Sequence, residues 1–79
     1  MLHVIYLNIR RNGKLLESAS IFVSANSFSE AQAKWAEKVK AHLASHGCGE
    51  IKVPTKVKAG WTAELEPYSF SLTTIQHRK

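Results

Sequence analysis

The stretch LHVIYLNIRRNGKLLESASIFV, residues 2–23, decides the fold of this chain. It consists of two runs rich in β-branched and aliphatic residues, which meet at Asn12 and Gly13. Asn-Gly is the strongest short signal for a β-hairpin, because both residues tolerate the positive φ angles of a type I′ turn. The sequence therefore predicts two antiparallel strands, residues 2–10 and 14–24, joined by a tight turn.

The turn also predicts which residues of the hairpin face each other. It places Arg11 opposite Lys14. Regular pairing beyond that point gives two apolar faces, since neighbouring residues of a strand point to opposite sides. A single helix covers only one face, so we expect the other to be covered by later chain, by a second copy or by a partner. The predicted cross-strand partners are Ile9 with Leu16 and Val4 with Ile21. One predicted face consists of Ile5, Leu7, Ile9, Leu16 and Phe22. The other consists of Leu2, Val4, Tyr6, Ala19, Ile21 and Val23.

A helix is predicted to follow the hairpin directly, over residues 27–46. Ser27 and Glu30 have the spacing of a capping box, in which each side chain accepts a hydrogen bond from a free backbone N–H. Gly47 suits the left-handed conformation that often follows the last residue of a helix. Apolar residues recur at every third or fourth position and predict one buried stripe, Phe28, Ala31, Trp35, Val39 and Leu43.

The remaining sequence predicts short strands. Alternation of apolar residues with lysines indicates an edge strand or a bulged strand over residues 51–58, interrupted by Pro54. Residues 61–65 predict a short strand, and alternation from residue 68 to about residue 76 predicts the last one. The element order is then ββαβ(β)β, an α+β fold in which one helix packs across an antiparallel sheet of four or five strands.

The length of 79 residues predicts a single domain over residues 1–79. A chain of this size buries only about 60% of its unfolded surface, and oligomerisation is a common source of added stability. Cys48 is the only cysteine, which is typical of a reduced, cytoplasmic protein. No apolar run approaches the roughly 20 residues that span a bilayer, and no secretory signal is evident, so we expect no membrane partner.

The charge of the chain favours acidic partners. Eleven lysines and arginines stand against six glutamates, which gives a net charge of +5. Nucleic acid, a nucleoprotein or an acidic protein surface would suit such a chain. The alternative interpretation is that the charge only keeps the protein soluble. The predicted contact residues lie at the hairpin turn and on one face of the strand over residues 51–58, with Trp61 as a partly exposed aromatic anchor. The charged ones are Arg10, Arg11, Lys14, Lys52, Lys56 and Lys58.

The sequence carries little that resembles catalytic machinery. Glu64 and Glu66 would point the same way from a strand, which is more typical of a solvated face than of a general acid–base pair. Cys48 follows the carboxyl end of the helix, where the helix dipole disfavours a thiolate. We therefore expect a protein that is not an enzyme and that needs no cofactor.

A zinc site is a more specific chemical possibility than a catalytic site. His42, His46 and Cys48 form the pattern H-x3-H-x-C, and His3 or His77 would supply a further ligand. Histidines near the carboxyl end of a helix are also favoured by the helix dipole alone. We adopt that second interpretation and predict no metal.

The hairpin of residues 2–23 and the helix of residues 27–46 together resemble the small inhibitors encoded by phages and mobile elements, the anti-CRISPR proteins among them. The resemblance rests on the size and architecture of the whole chain. It implies a non-enzymatic protein of the host cytoplasm that docks on a CRISPR surveillance complex and blocks target recognition. Inhibitors that imitate nucleic acid are acidic, so this basic chain is expected to meet an acidic protein surface or the guide and target strands.

The sequence is also compatible with two other kinds of partner, nucleic acid and a second copy of the chain. A small basic DNA- or RNA-binding module is the alternative function, because clustered lysines and arginines contact phosphates. A homodimer is the other, because small domains gain stability by association and an open sheet edge invites another strand.

Overall fold

The computed structural model describes residues 1–74. These residues form four strands and one helix, joined into a single antiparallel sheet with the spatial order β2-β1-β4-β3. The predicted α+β fold is confirmed, and the end of the predicted last strand, residues 75–76, lies outside the described residues. The elements are β1 (Leu2–Arg11), β2 (Lys14–Ser24), α1 (Phe28–Ser45), β3 (Thr62–Leu65) and β4 (Tyr68–Thr73).

A β-bulge in β2 overturns the predicted register of the first hairpin. Arg11 lies opposite Lys14 as predicted, and Arg10 lies opposite Leu15. The next partner of β1 is then Glu17 rather than Leu16, because Leu16 is an extra residue without a counterpart. The predicted pairs Ile9 with Leu16 and Val4 with Ile21 are therefore wrong, and the observed pairs are Ile9 with Glu17, Val4 with Phe22 and Ile5 with Ile21.

The one-residue shift moves every later side chain of β2 to the other side of the sheet. Ile21 and Val23 therefore join Ile5 on the face that α1 covers, which we call the inner face. Phe22 moves to the opposite, outer face, where it is 54% exposed. The buried residues of the inner face are Ile5, Leu7, Ile9, Ile21, Val23, Phe70 and Leu72.

The helix begins and ends where the sequence predicts. Ser27 is the N-cap, and its hydroxyl accepts a hydrogen bond from the Glu30 N–H at 3.1 Å. The Glu30 carboxylate accepts from the N–H of Asn26, one residue before the N-cap, at 3.1 Å. Gly47 follows the C-cap His46 with φ of 77°, the left-handed conformation that glycine adopts without strain.

Phe28 departs from the predicted buried stripe. It is the first residue of α1 and is 55% exposed. Its ring meets the ring of Trp35 edge-on at 5.8 Å between centroids, and His3 lies 6.5 Å away. The buried residues of α1 are instead Ala31, Trp35, Ala36, Val39 and Leu43.

No strand forms over residues 51–58, where the sequence predicts one. The segment after α1 runs as an irregular loop beside the helix, and the N–H of Val57 donates to the carbonyl of Gln32 at 3.2 Å. Val57 and Cys48 are buried, so the loop completes the core next to the helix. Pro54, which has no N–H to offer a ladder, is consistent with this outcome. The helix within residues 1–74 lacks the combination of length and apolar character needed to cross a membrane.

Candidate functional site

The outer face of the sheet is a surface that no described element covers. It divides into an apolar zone and a polar zone. The apolar zone comprises Leu2, Val4, Tyr6 and Phe22, of which Leu2 is 66% exposed and Phe22 54% exposed. The polar zone contains the side chains Asn8, Arg10, Ser18, Ser20, Thr62, Glu64, Ser69, Ser71 and Thr73.

A chain of hydrogen bonds crosses three strands in the polar zone. Ser18 Oγ donates to Asn8 Oδ1 at 2.7 Å, and Asn8 Nδ2 donates to Thr73 Oγ1 at 2.9 Å. These bonds tie β2, β1 and β4 together and fix the orientation of the central amide. The outer face is therefore a pre-ordered surface, which lowers the entropy cost of binding to it.

The predicted contact residues of the hairpin turn lie together at one end of the sheet. Arg10, Arg11 and Lys14 are all exposed. The Arg11 guanidinium lies 5.9 Å from the centroid of the Tyr68 ring, a cation–π contact that restrains it. The turn itself is fixed by the Asn12 N–H, which donates to the carbonyl of Pro67 in the β3–β4 turn at 2.9 Å. We call these three residues the turn cluster.

The three predicted loop lysines do not share a strand face, because their segment is not a strand. Lys52, Lys56 and Lys58 are exposed. Lys56 Nζ donates to Ser29 Oγ at 2.6 Å and so lies near the start of α1. The turn cluster lies near the end of α1, since His46 contacts Tyr68 with 6.5 Å between ring centroids. From Ser29 to His46 the helix rises roughly 25 Å, which separates Lys56 from the turn cluster.

Trp61 is partly buried and packs against the core. Its N–H donates to the Lys58 carbonyl at 3.2 Å, and its carbonyl accepts from Leu72 at 2.9 Å. These bonds hold its backbone in place beside β4. Its role as an aromatic anchor stays a prediction.

The residues of the zinc pattern are not brought together. Cys48 is buried, and its Sγ lies 3.7 Å from the carbonyl of His46. The Nε2 of His46 faces Glu17 Oε1 at 3.5 Å. Within residues 1–74, no group of three or more histidine, cysteine or acidic side chains is close enough to hold a metal ion. His77 lies outside the described residues.

The outer edge of β2 forms a second candidate surface, which sequence reasoning missed. Beside this edge, α1 leaves a groove of about 440 Å³. Lys34 spans it at one end, where its Nζ donates to the Ser24 carbonyl at 2.5 Å and pairs with Glu30 at 3.3 Å. The groove arises from the position of the helix, which no local pattern shows, and its lining residues are Phe22, Val23, Ser24, Lys34, Glu37, Lys38 and Ala41.

Comparison with known proteins finds no matching family, no matching curated protein and no matching solved structure.

Proposed function

We propose that this protein is a non-catalytic binding protein that docks on a larger nucleoprotein assembly with an acidic surface, such as a CRISPR surveillance complex, and blocks its target recognition. The observation that carries the proposal is the apolar zone of the outer face. Phe22 and Leu2 are more than half exposed there, and no described element covers them. Contiguous exposed apolar surface on a small protein is typical of an interaction site.

The apolar zone has the composition of a binding hot spot. Val4 lies opposite Phe22, and Tyr6 lies diagonally from Phe22 on the same face. Burying a side chain such as phenylalanine against a partner contributes about 1.5–3 kcal/mol. Aromatic residues within a rim of polar side chains dominate many interfaces, and the hydroxyl and amide groups of the polar zone supply such a rim.

The turn cluster supplies the electrostatic part of the proposal. At this end of the sheet Arg10 lies on the outer face with Leu15, and Arg11 and Lys14 lie on the inner side. Leu15 and Leu16, the two leucines at the bulge, are exposed. Exposed charges act mainly on the rate of association with an oppositely charged surface. We therefore assign partner selection to the charges and most of the affinity to the apolar zone.

A matched pair of phenylalanines tests the proposal. Phe22 and Phe28 are almost equally exposed, at 54% and 55%, but Phe22 lies on the outer face and Phe28 at the start of the helix. Affinity capture from native lysate is expected to recover a discrete nucleoprotein complex with the wild type and with Phe28→Asp, but not with Phe22→Asp. The captured complex should then lose binding of its nucleic-acid target when the wild-type protein is added. Capture of naked nucleic acid without a protein complex, or a captured complex that binds its target undisturbed, contradicts the proposal.

Direct binding of single-stranded nucleic acid is the second candidate function. The specific observation in its favour is that Tyr6 and Phe22 are accessible on adjacent strands of an uncovered sheet face. Aromatic side chains on such a face stack bases, and each stacked base contributes about 1–3 kcal/mol. Anisotropy of labelled oligonucleotides should then show binding at low salt that weakens steeply with salt and with Tyr6→Ala. Absence of binding at low salt eliminates this candidate.

A further inference from the structure

We propose that two copies of this chain pair antiparallel along the outer edge of β2, across a two-fold axis that passes near Ile21. This inference is independent of the partner proposed above. It concerns the strand edge, and it would join the outer faces of two copies, with Phe22 of each copy at the junction, into one continuous surface.

The first argument is the chemistry of the edge. Alternate residues of an edge strand turn their N–H and C=O groups away from the sheet. The Ser24 carbonyl is one of these, since it accepts from Lys34. The same alternation exposes the backbone groups of Phe22, Ser20 and Ser18, and within residues 1–74 no strand pairs with them. Residues 18–24 contain no charged residue and no proline, features with which most proteins protect such an edge. The charge that reaches this edge at the Ser24 carbonyl comes from Lys34 on α1.

The second argument is the register that two-fold symmetry allows. An axis near Ile21 places Ser20 opposite the partner's Phe22 and Ser18 opposite the partner's Ser24, so outward-facing backbone groups meet in pairs. The Ser24 carbonyl has two lone pairs and then accepts from the partner's Ser18 as well as from Lys34. The two copies of Phe22 then become diagonal neighbours on the outer face, within reach of aromatic contact. Both helices stay on the same side of the joined sheet.

The third argument is charge complementarity. In this register Glu17 comes next to the partner's Ala25, and Lys34 of each copy reaches the adjacent Ser24. Glu17 and Lys34 are both on the helix side of the sheet, with side chains 45% and 47% exposed. Within one copy, Glu17 faces His46 at 3.5 Å and Lys34 pairs with Glu30 at 3.3 Å. The symmetry adds a second neighbour of opposite charge to each, because it brings Glu17 close to the partner's Lys34 at both ends of the interface.

The groove beside β2 favours a second copy over an unrelated peptide. Its helical wall carries both signs of charge, Lys34, Lys38 and Glu37. A self-complementary surface needs both signs, because each patch meets itself in the reverse direction. A strand of uniform charge would meet at least one like charge there. The edge of β3 is a weaker competitor, since β3 has four residues.

A charge-swap cycle tests the pairing. We expect the wild type to be a dimer by analytical ultracentrifugation, with Glu17→Lys and Lys34→Glu each raising the dimer dissociation constant about tenfold. The double variant should return it to near the wild-type value. Within one chain, the Lys34 side chain is bound at Ser24. Ser24 lies seven positions after Glu17, which is roughly 23 Å along the strand. The effects of substitutions at residues so far apart are additive within a monomer. A dissociation constant restored in the double variant therefore shows that Glu17 contacts Lys34 of the other copy.

Two further variants complete the design. Lys40→Glu makes the same charge change on an exposed residue of α1 outside the groove, and it should leave the dissociation constant unchanged. Ser20→Pro removes one outward N–H and should give a monomer, with circular dichroism confirming that the fold is kept. A wild type that is monomeric at millimolar concentration overturns the proposal. Single variants without effect, or a double variant that stays monomeric, overturn it equally.

Discussion

Ile5 of β1 lies directly opposite Ile21 of β2, and both side chains are buried on the inner face, at 0% and 3% exposure. This pairing exists because Leu16 is accommodated as an extra residue on β2. Without the bulge, Ile21 would point to the outer face and Phe22 into the core. The bulge therefore gives the sheet one well-packed face and leaves the other mostly polar.

Deletion of Leu16 should be tolerated. It leaves the turn, the pair of Arg10 with Leu15 and the pair of Ile9 with Glu17 intact, and it makes the ladder regular. Insertion of a serine after Leu16 is the opposite change, since a second extra residue forces either a wider bulge or a slip. We expect the deletion variant to fold with a midpoint of urea denaturation near that of the wild type, and the insertion variant to be much less stable. An unfolded deletion variant contradicts the role given to the bulge.

Loss of the N-cap should weaken the helix. In Ser27→Ala the N–H of Glu30 loses its acceptor, and N-cap replacements of this kind cost about 1 kcal/mol. Urea denaturation followed by circular dichroism measures the loss. Ser29→Ala is the matched control, because it removes only the exposed bond from Lys56 to the Ser29 hydroxyl and leaves the capping bond intact. It should cost clearly less.

Glu30 should make the stability depend on pH in the acid range. The backbone N–H of Asn26, and after it the hydrogen bond from Lys34, lower the pKa of this carboxyl below its ordinary value. A lowered folded-state pKa contributes stability that is fully present above the ordinary pKa of a glutamate, and that contribution is lost as the pH falls through the folded-state pKa. Thermal denaturation between neutral and acid pH should therefore show a smaller loss for Glu30→Gln than for the wild type. Parallel pH profiles for the two proteins would exclude this contribution.

The glycines after α1 should respond differently to substitution. Gly47 has φ of 77°, and a side chain there meets no atom within 4 Å, so the cost of Gly47→Ala is backbone strain alone. We expect about 1 kcal/mol of destabilisation. A Cβ on Gly49 would make ordinary contacts at 3.8 Å with Ala44, and Gly49→Ala should be neutral or slightly stabilising because it restricts the unfolded chain. Equal effects at both positions contradict this assignment.

Charge reversal in the turn cluster should slow association with the proposed acidic partner. With Arg10, Arg11 and Lys14 replaced by glutamate, the association rate should fall and become less dependent on salt, while dissociation changes little. Surface plasmon resonance at two salt concentrations separates these rates. The same reversal at Lys56, which lies at the other end of the helix, should have the smaller effect. Unchanged association after reversal of all three residues removes the turn cluster from the interface.

Local patterns were sufficient for the elements of this fold. Asn12 and Gly13 adopt positive φ angles of 53° and 83°, as the turn prediction requires. Ser27 and Gly47 mark the two ends of the helix because capping depends on residues within one turn of the chain. The alternation over residues 51–58 led to the wrong prediction of a strand, because an irregular segment whose apolar residues pack beside a helix shows the same alternation.

The candidate surfaces were less accessible to sequence reasoning. The turn cluster could be placed from the hairpin alone, since its members adjoin Asn12 and Gly13. The position of Phe22 could not be predicted from the hairpin alone, because its side of the sheet depends on how β2 accommodates one extra residue. The separation of Lys56 from the turn cluster likewise depends on the course of the loop along α1.

The sequence by itself determined the hairpin, the helix and its caps, the α+β class and the positive charge, because each depends on neighbouring residues or on composition. Only the tertiary structure decided the faces of β2, the course of the loop after α1 and the groove beside the sheet edge. These features follow from how β2 and α1 share one small core. A bulge at Leu16 costs little locally, but it determines whether Ile21 or Phe22 is buried.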